Sequence, residues 1–317
     1  MKKILIIDTQ GEEITPIYRS MLPGIALRGV ETDATRGTPC HEHGALCGWL
    51  AAIPCIGAGL DVEIVFARMF DKDARPIADA HKFILNTIAA ERPDYISRSW
   101  GAWDFDSPLG RRFADEMFAE LLPRFIELQQ EIGFLDFGAA GNNDENDADQ
   151  DVDAPQSQLP ATVIVGACGR NGVPTEWSGD GVGVACVMWA DRVYSPDMAG
   201  RWILWSGTSA ATPKLCGACA ALGYTSLDQA LKTLQMSERP DGEWTLPHPK
   251  WGLGCAESLW QNQMRRVPAG LLPPYHQLTV QGIERIEFFD FRRILEEERV
   301  DLVKEKRPRR AAKEKKS

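Results

Sequence analysis

Long apolar segments are absent from this sequence of 317 residues. No run approaches the roughly 18 apolar residues that a membrane span requires, so none is predicted. The N-terminus, Met1-Lys2-Lys3, has the charge of a signal peptide, but the apolar run that follows it, residues 4–7, is too short for one. We therefore predict that the N-terminus belongs to the fold, with no secretion signal and no pro-segment.

Paired metal-binding cysteines are also absent. The eight cysteines are scattered along the chain, mostly within apolar segments. Cys216 and Cys219 lie one helical turn apart, but a zinc or redox site would need a second ligand pair at suitable spacing, and the sequence has none. We predict buried free thiols in a reducing compartment, and hence a cytoplasmic protein.

Basic residues are outnumbered, with 35 Lys and Arg against 45 Asp and Glu and a net charge of −10. Residues 143–153 contain six acids and no base. Alternating aspartates could supply oxygen ligands to calcium, but the segment lacks the glycine and the final glutamate of a helix-loop-helix calcium site. We interpret it as a solvated acidic loop, with no metal site assigned and no organic cofactor. The candidate ligands under the calcium alternative are Asp147, Asp149, Asp151 and Asp153.

Strand-like and helix-like patterns alternate along the chain. The predicted strands are residues 4–7, 62–67, 94–99, 134–140 and 162–167, and the predicted helices are residues 43–53, 77–91 and 108–132, with another after Ser209. This alternation predicts an α/β fold with a mostly parallel sheet and helices on both faces. In such sheets the ligand site lies beyond the carboxyl ends of the strands, where Asp8, Ser99 and Asn142 fall.

Three polar residues stand where nucleophilic chemistry would need them. Asp8 ends an apolar strand, His43 opens an apolar helix, and Ser209 lies in a Gly-Thr-Ser turn that leads into a helix. A serine nucleophile needs a base to take its proton and an acid to orient that base, and a helix N-terminus adds a positive dipole end. Pro213 fits this interpretation if it lies in the first helical turn, where backbone amides have no partner to lose.

Each of these residues has a simpler explanation. The Ser209 turn could be an ordinary helix cap, and Asp8 could be a strand-end carboxylate. His41 competes with His43 for the role of base. We prefer His43, because the small Gly44 follows it and the apolar helix begins there.

These segments resemble the sequence boxes of the subtilisin-like serine protease (subtilase) family. Residues 8–9 are similar to its Asp-Thr-Gly box, residues 43–44 to its His-Gly-Thr box, and residues 207–213 to its Gly-Thr-Ser-x-Ala-x-Pro box. Residues 138–142 lie where the family places its oxyanion-hole asparagine. Weaker similarities occur at residues 97–101, 159–167 and 251–256, so that the resemblance covers about residues 1–262.

The resemblance implies a three-layer subtilisin-like fold and a serine endopeptidase acting on peptide or protein substrates. The implied catalytic residues are Asp8, His43 and Ser209, with Asn142 donating to the oxyanion. The adjacent Asn143 could instead turn the chain, but the Ala-Ala-Gly before Asn142 favours Asn142 as the donor. The implied substrate contacts are Ser99, Trp100, Gly101 and Gly141.

Two departures from the family pattern, together with the expected absence of a pro-segment and the C-terminal extension, keep a second hypothesis open. Gln10 replaces the glycine of the aspartate box, and Ala45 replaces the threonine of the histidine box. Residues 185–187 (Ala-Cys-Val) replace an Ala-Pro-Gly turn, which we expect to be reshaped. The alternative is a catalytically silent subtilase fold that serves as a binding or structural component.

The C-terminal segment falls outside the resemblance. We predict a peptidase domain over residues 1–266, a proline-rich linker at 267–275, an extension at 276–303 and a disordered basic tail at 304–317. The tail carries eight Lys and Arg against two Glu, a net charge of +6. Such tails are usually solvated, and docking on an acidic partner is the alternative. A nucleic-acid partner is not favoured.

Overall fold

A sheet of seven parallel strands forms the centre of the computed structural model of this protein. The structure describes residues 1–71, 76–100, 117–142, 159–181, 183–226, 229, 232 and 255–272. The seven strands are β1 (Lys2–Asp8), β2 (Ala26–Val30), β3 (Val62–Arg68), β4 (Tyr95–Arg98), β5 (Leu135–Ala139), β6 (Thr162–Cys168) and β7 (Val184–Trp189). They are ordered β2-β3-β1-β4-β5-β6-β7, and every neighbouring pair is parallel. The predicted α/β class is confirmed.

Helices cover both faces of this sheet, as predicted. They are α1 (Pro16–Ser20), α2 (His43–Ala58), α3 (Ala80–Glu91), α4 (Leu122–Ile132), α5 (Thr208–Ala221) and α6 (Glu257–Met264). Helix α5 packs across β1 and β4 to β7, beside α2 and α6. Helices α3 and α4 bury Ile84, Ile88 and Phe125 against Leu5 and Ile7 of β1 on the opposite face. The arrangement has three layers.

Side-chain alternation along β1 positions Asp8. Because successive strand residues point to opposite faces, Leu5 and Ile7 face α3 and α4, whereas Asp8 faces α2. Asp8, Ser99 and Asn142 each stand at or just after the carboxyl end of β1, β4 or β5. A single edge of the sheet therefore carries all three.

An antiparallel hairpin leads into α5. It consists of β8 (Val193–Pro196) and β9 (Trp202–Trp205), and it packs on α2, where Trp202 meets Trp49 edge-to-face at 5.2 Å between ring centroids.

No helix among the described residues is long and apolar enough to cross a lipid bilayer.

The predicted strands agree with those observed to within two residues at each end, but β2, β7 and the hairpin were not predicted. Strand β2 has Arg28 and Gly29 in its interior, which weakens its apolar pattern. Residues 185–187, expected as a reshaped turn, instead lie within β7. The predicted helix at 77–91 begins at Ala80. Of the predicted helix at 108–132, the part that the structure describes is a π-helical turn, Met117–Leu121, followed by α4.

The C-terminal elements that the structure describes are α6 and a 3-10 turn, Ala269–Leu271. They belong to the same compact unit as the sheet, which comprises Met1–Leu271. Residues 273–317 lie outside the described residues, so the proposed extension and basic tail stay predictions.

Helices α2 and α5 run parallel at very close range. A Cβ atom on Gly217 would lie 2.1 Å from the carbonyl oxygen of Ala51, so only glycine permits this approach. The thiol of Cys47 contacts the carbonyl of Ser209, and the thiol of Cys55, eight residues later, contacts the carbonyl of Gly217, eight residues later on its own helix. This matched spacing shows that the helices are parallel, which places their N-termini side by side.

A buried ion pair joins α5 to α6. The Lys214 ammonium is 1% exposed and donates to both carboxylate oxygens of Glu257 at 2.7 Å and to the carbonyl of Trp189 at 2.8 Å. It also lies 4.3 Å from the centroid of the Trp260 ring. The ammonium is fully satisfied only while Glu257 is present.

We predict that Glu257→Leu lowers the free energy of unfolding by about 3–5 kcal/mol, because it leaves the Lys214 charge buried without a partner. Denaturant unfolding measures the loss. Glu127→Leu, which removes one exposed partner of Arg124, is the matched control and should change the free energy of unfolding far less. Equal losses in the two variants would contradict the prediction, as would failure of the double variant Lys214→Met, Glu257→Leu to recover stability.

Candidate active site

The carboxylate of Asp8 holds the imidazole of His43. Its two oxygens lie 2.8 and 3.0 Å from Nδ1 of His43, and the Asp8 side chain is 2% exposed. The backbone N–H of Thr9 donates to the same carboxylate at 2.7 Å. The backbone N–H of Thr9 thus orients the Asp8 carboxylate, and the carboxylate orients the His43 ring.

The loop before α2 is braced by Thr9 and His41. The Thr9 hydroxyl donates to the carbonyl of His41 at 2.8 Å and accepts from the N–H of Gly44 at 2.9 Å. A Cβ on Gly44 would lie 2.6 Å from the backbone nitrogen of Gln10, so glycine is needed for this approach. These bonds brace the loop without the threonine hydroxyl that the sequence lacks at Ala45.

His41 and His43 have different roles in this loop. The exposed His41 accepts a hydrogen bond from the N–H of His43 through Nδ1, at 3.2 Å, and so caps the start of α2. His43 alone of the two contacts Asp8. The choice of His43 as the base stays a prediction.

Ser209 lies in the first turn of α5, and its hydroxyl is hydrogen-bonded to the residue that follows β4. Its Oγ donates to the carbonyl of Ser99 at 3.0 Å, and Oγ of Ser99 donates back to the carbonyl of Ser209 at 3.0 Å. No hydrogen bond joins His43 to Ser209 in the part of the chain that the structure describes. The structure therefore joins Ser209 and Ser99 by hydrogen bonds. His43 and Ser209 both contact Cys47 but are not bonded to each other.

Pro213 explains why the carbonyl of Ser209 is available. The prediction that Pro213 occupies the first turn of the helix is wrong, because α5 begins at Thr208 and Pro213 is its sixth residue. Without an N–H, it cannot donate to the carbonyl four residues earlier, which is that of Ser209. Ser99 and Cys47 donate to that carbonyl instead, at 3.0 and 3.4 Å.

Cys47 is a member of the site that the sequence interpretation missed. Its thiol lies 3.9 Å from Nδ1 of His43 and contacts the carbonyl of Ser209, so it fills the space between the two. Burial raises its pKa. The signal was present in the sequence, because residues four apart on a helix share a face and Cys47 follows His43 by four.

Asn142 presents a free amide donor to the same site. Its Oδ1 accepts from the N–H of Thr208 at 2.8 Å and from the hydroxyl of Thr208 at 3.0 Å, which orients the side chain. Neither its Nδ2 nor the N–H of Ser209 has a hydrogen-bond partner among the described residues. Gly141, with φ of +102°, turns the chain before it.

The remaining predicted substrate contacts are placed as follows. The N–H of Gly141 donates to the Thr208 hydroxyl and its carbonyl accepts from Gly179, so its polar groups are used within the fold. The Trp100 side chain is 5% exposed and packs against Phe70 in the core, and its contact with substrate stays a prediction. Gly101 lies outside the described residues.

A metal-ligating group is present among the described residues only at Asp8, His43 and Cys47, whose ligand atoms lie within 4.8 Å of one another. The Asp8 carboxylate and the Nδ1 of His43 already bind each other, and the raised pKa keeps the thiol protonated. This donor set therefore suits a hydrogen-bonded pair better than a metal ion. Asp147, Asp149, Asp151 and Asp153 lie outside the described residues.

The sequence model of the subtilase family of peptidases matches residues 28–234, about two thirds of the chain. The chain belongs to the subtilase family. The matched range includes His43, Asn142 and Ser209, whereas Asp8 precedes it. The predicted family is confirmed, and no curated protein sequence matches this subtilase.

Three solved protease structures are similar to this subtilase. The prenylagaramide maturation protease PagA has a TM-score of 0.59 at 18% identity, over 84% of this chain and 94% of PagA. The protease domain of PatA has a TM-score of 0.60 at 18% identity, over 83% and 95%. A lanthipeptide protease has a TM-score of 0.58 at 17% identity, over 83% and 88%. At these identities the likeness shows a shared fold.

Two residues of this subtilase outside the predicted set adjoin the site. The indole of Trp205 meets the His43 ring edge-to-face at 5.6 Å and donates to Ser195 at 3.1 Å. Gln10 is 1% exposed, and its Nε2 donates to the carbonyl of Glu13 at 2.6 Å. Its Oε1 is buried with no hydrogen-bond partner among the described residues.

Electrostatics favour the protonated form of His43. Burial of the ring opposes protonation, but the charge of Asp8 and its hydrogen bond to Nδ1 outweigh that effect, so the pKa of His43 lies well above its ordinary value. A raised pKa means that the pair stabilises the fold below a pH of about 6.5 and that this contribution is lost as pH rises through the folded-state pKa.

We predict that the His43 ring titrates above about 6.5, the ordinary histidine value, when its nitrogen resonances are followed by NMR. Asp8→Asn keeps the shape of the partner but removes its charge, so the pKa of His43 should fall. His41→Gln serves as the assignment control and should leave the His43 titration in place. An unchanged His43 pKa in Asp8→Asn would show that Asp8 is not the cause.

Proposed function

We propose that the chain is a serine endopeptidase with Asp8, His43 and Ser209 as its catalytic triad. The observation that carries the proposal is the bond between Asp8 and Nδ1 of His43, beside a serine in the first turn of a helix. Membership of the subtilase family supports the reaction class, and the protease folds of its structural neighbours agree with it. No metal and no organic cofactor enter the proposed reaction.

In this mechanism Ser209 attacks the peptide carbonyl while His43 takes its proton. Asp8 holds the tautomer in which Nδ1 carries hydrogen and stabilises the imidazolium that forms. An ester bond forms between Oγ of Ser209 and the carbonyl carbon of the substrate, and the C–N bond of the substrate breaks. His43 then gives its proton to the leaving amine.

The developing oxyanion requires donors that are free before the reaction. Nδ2 of Asn142 and the N–H of Ser209 are the two that we assign, because Thr208 binds Oδ1 of Asn142 and leaves the amide hydrogens available. The positive end of the α5 dipole acts in the same direction. Donors held in place beforehand need no reorganisation during the reaction.

The hydroxyl of Ser209 must leave the Ser99 carbonyl before it can reach His43. A substrate that adds as a strand along Ser99 offers its own backbone N–H to that carbonyl. We propose that this exchange releases the Ser209 hydroxyl toward the base. The substrate is a peptide or protein, and the peptide-processing names of two structural neighbours, a maturation protease and a lanthipeptide protease, support a peptide.

The second candidate is a catalytically silent subtilase fold that binds a partner. The observation that favours it is the Ser209 hydroxyl, which donates to Ser99 and not to His43. A fluorophosphonate probe distinguishes the two candidates, because it labels only an activated serine. The endopeptidase proposal requires Ser209 to be labelled, whereas a silent fold would leave it unmodified.

We predict that Ser209→Ala abolishes labelling and lowers peptide cleavage by about 10,000-fold or more, since it removes the nucleophile. Cleavage of a fluorogenic peptide library measures the loss. His43→Ala should be comparably damaging, and the control His41→Ala should be mild. If His41→Ala were the inactive variant, the base would be assigned wrongly.

We predict that Asn142→Ala lowers kcat by about 100- to 1,000-fold with little change in KM, because the amide donates most strongly to an oxygen that is negative only in the transition state. Steady-state kinetics on one peptide measure both constants. An effect confined to KM would make Asn142 a ground-state substrate contact instead.

A further inference from the structure

The first turn of α5 contains a backbone carbonyl that its own helix cannot bind. Pro213 stands four residues after Ser209 and has no N–H, so the carbonyl of Ser209 lacks the donor that a helix normally supplies. A polar backbone group inside a protein is costly when it has no hydrogen-bond partner. Side chains from other elements must therefore supply the bond.

Ser99 and Cys47 supply it from two different elements. Oγ of Ser99, the residue after β4, donates to the Ser209 carbonyl at 3.0 Å, and Sγ of Cys47, in α2, donates to it at 3.4 Å. Both residues are buried. Burial raises the pKa of the Cys47 thiol, so the thiol keeps the hydrogen that it donates. The carbonyl is thus held by the sheet and by α2.

The same arrangement occurs again in α2, away from the proposed triad. Pro54 is an interior residue of that helix and leaves the carbonyl of Leu50 without a helical donor. Nε1 of Trp260, in α6, donates to that carbonyl at 3.4 Å. This second case offers a comparison in which a side chain replaces a missing helical bond but touches no residue of the triad.

The carbonyl of Ser209 differs from that of Leu50 because it belongs to the nucleophile. A shift of this carbonyl also moves Oγ of the same residue, and catalytic rates are sensitive to small displacements of the reacting atoms. Cys47 lies 3.9 Å from Nδ1 of His43, and the Ser209 hydroxyl donates to the carbonyl of Ser99 at 3.0 Å. The two residues that hold the carbonyl therefore also contact the base and the nucleophile.

We propose that Ser99 and Cys47 are positioning residues for the nucleophile: they hold the carbonyl that Pro213 leaves free, so that Oγ of Ser209 can reach His43 when substrate displaces it from Ser99. The inference rests on the proposed endopeptidase function and adds two side chains to its machinery. Pro213 serves the site because it leaves the first turn of α5 to be placed by the sheet and by α2.

The first test compares rates. Ser99→Ala and Cys47→Ala should each lower kcat, and the rate constant of fluorophosphonate labelling, by about two- to tenfold, which corresponds to the loss of one hydrogen bond. KM should change little, because Ser99→Ala retains the backbone carbonyl that pairs with substrate. Ser99→Thr and Cys47→Ser retain a donor and should lose less.

Cys55→Ala is the matched control. Cys55 is buried in the same helix, and its thiol contacts the carbonyl of Gly217 at 3.8 Å as that of Cys47 contacts the carbonyl of Ser209. Ala221, four residues after Gly217, has an N–H, so the Gly217 carbonyl does not depend on the thiol. Both variants remove one buried sulfur, but only Cys47→Ala should slow labelling. Equal labelling rates would overturn the role of Cys47.

A third substitution separates positioning from stability. Pro213→Ala, added to Ser99→Ala with Cys47→Ala, returns an N–H to the helix and should recover most of the Tm that the double variant loses. The recovered bond comes from α5 itself and not from the sheet or α2, so kcat should stay low. Recovery of kcat together with Tm would overturn the positioning role, because satisfying the carbonyl would then be enough.

The equivalent variants at Leu50 calibrate that comparison. Trp260→Phe removes the donor to the Leu50 carbonyl, and Pro54→Ala returns an N–H to α2. Tm should fall in the first variant and rise when the second is added, while kcat stays near that of the unaltered protein. A loss of kcat in Trp260→Phe as large as that in Ser99→Ala would show that kcat only follows stability, and would overturn the proposal.

NMR separates failure of this proposal from failure of the proposed function. Ser209 and Ala210 form the only Ser-Ala step in the sequence, so ¹³C at serine carbonyls and ¹⁵N at alanine give the Ser209 carbonyl a signal of its own. That signal should shift in Ser99→Ala whether or not peptides are cleaved. An unshifted signal would overturn the positioning role. A shifted signal, with no fluorophosphonate labelling of the unaltered protein, would instead overturn the endopeptidase.

Discussion

The close parallel contact between α2 and α5 is the constraint on which the site depends. Gly217 allows the two backbones to approach until only a hydrogen fits against the carbonyl of Ala51. His43 and Ser209 stand at the starts of these helices, so the contact about two turns away constrains how far apart they lie. Small residues in the helix interior, and not the polar residues at the ends, determine this distance.

A second dependence runs through the carbonyl of Ser209. A proline in a helix interior normally costs about 3 kcal/mol, partly because it leaves one carbonyl unbonded. Here Ser99 and Cys47 bind that carbonyl from two other elements. The first turn of α5 is consequently attached to the end of β4 and to α2, and it is less reliant on its own helical hydrogen bonds.

The order of local patterns was enough to predict the α/β class, the five strands from β1 to β6 other than β2, and the edge of the sheet where Asp8, Ser99 and Asn142 meet. Those features follow from apolar periodicity and from strand ends, which are local. The reciprocal bonds between Ser99 and Ser209 were not predictable, because residues 110 apart in the chain form them.

Other errors have equally physical causes. Strand β7 was missed because its apolar run was interpreted through a family turn that this chain does not form. Pro213 was misplaced because its effect depends on the residue at which α5 begins. In the first turn of a helix a proline removes no hydrogen bond, whereas two positions further along it leaves one carbonyl without a helical donor. Gln10 is a departure from the family pattern whose buried side chain donates to the carbonyl of Glu13, a contact that the sequence does not indicate.

The parallel arrangement of α2 and α5 has a consequence for the end of the reaction. Both helices direct their N-termini at the same place, and each terminus carries about half a positive charge. In the proposed mechanism hydrolysis leaves a carboxylate on the acyl fragment, with negative charge close to where the oxyanion had been. The field that would stabilise the transition state therefore also attracts the acidic product, which opposes the departure of that fragment.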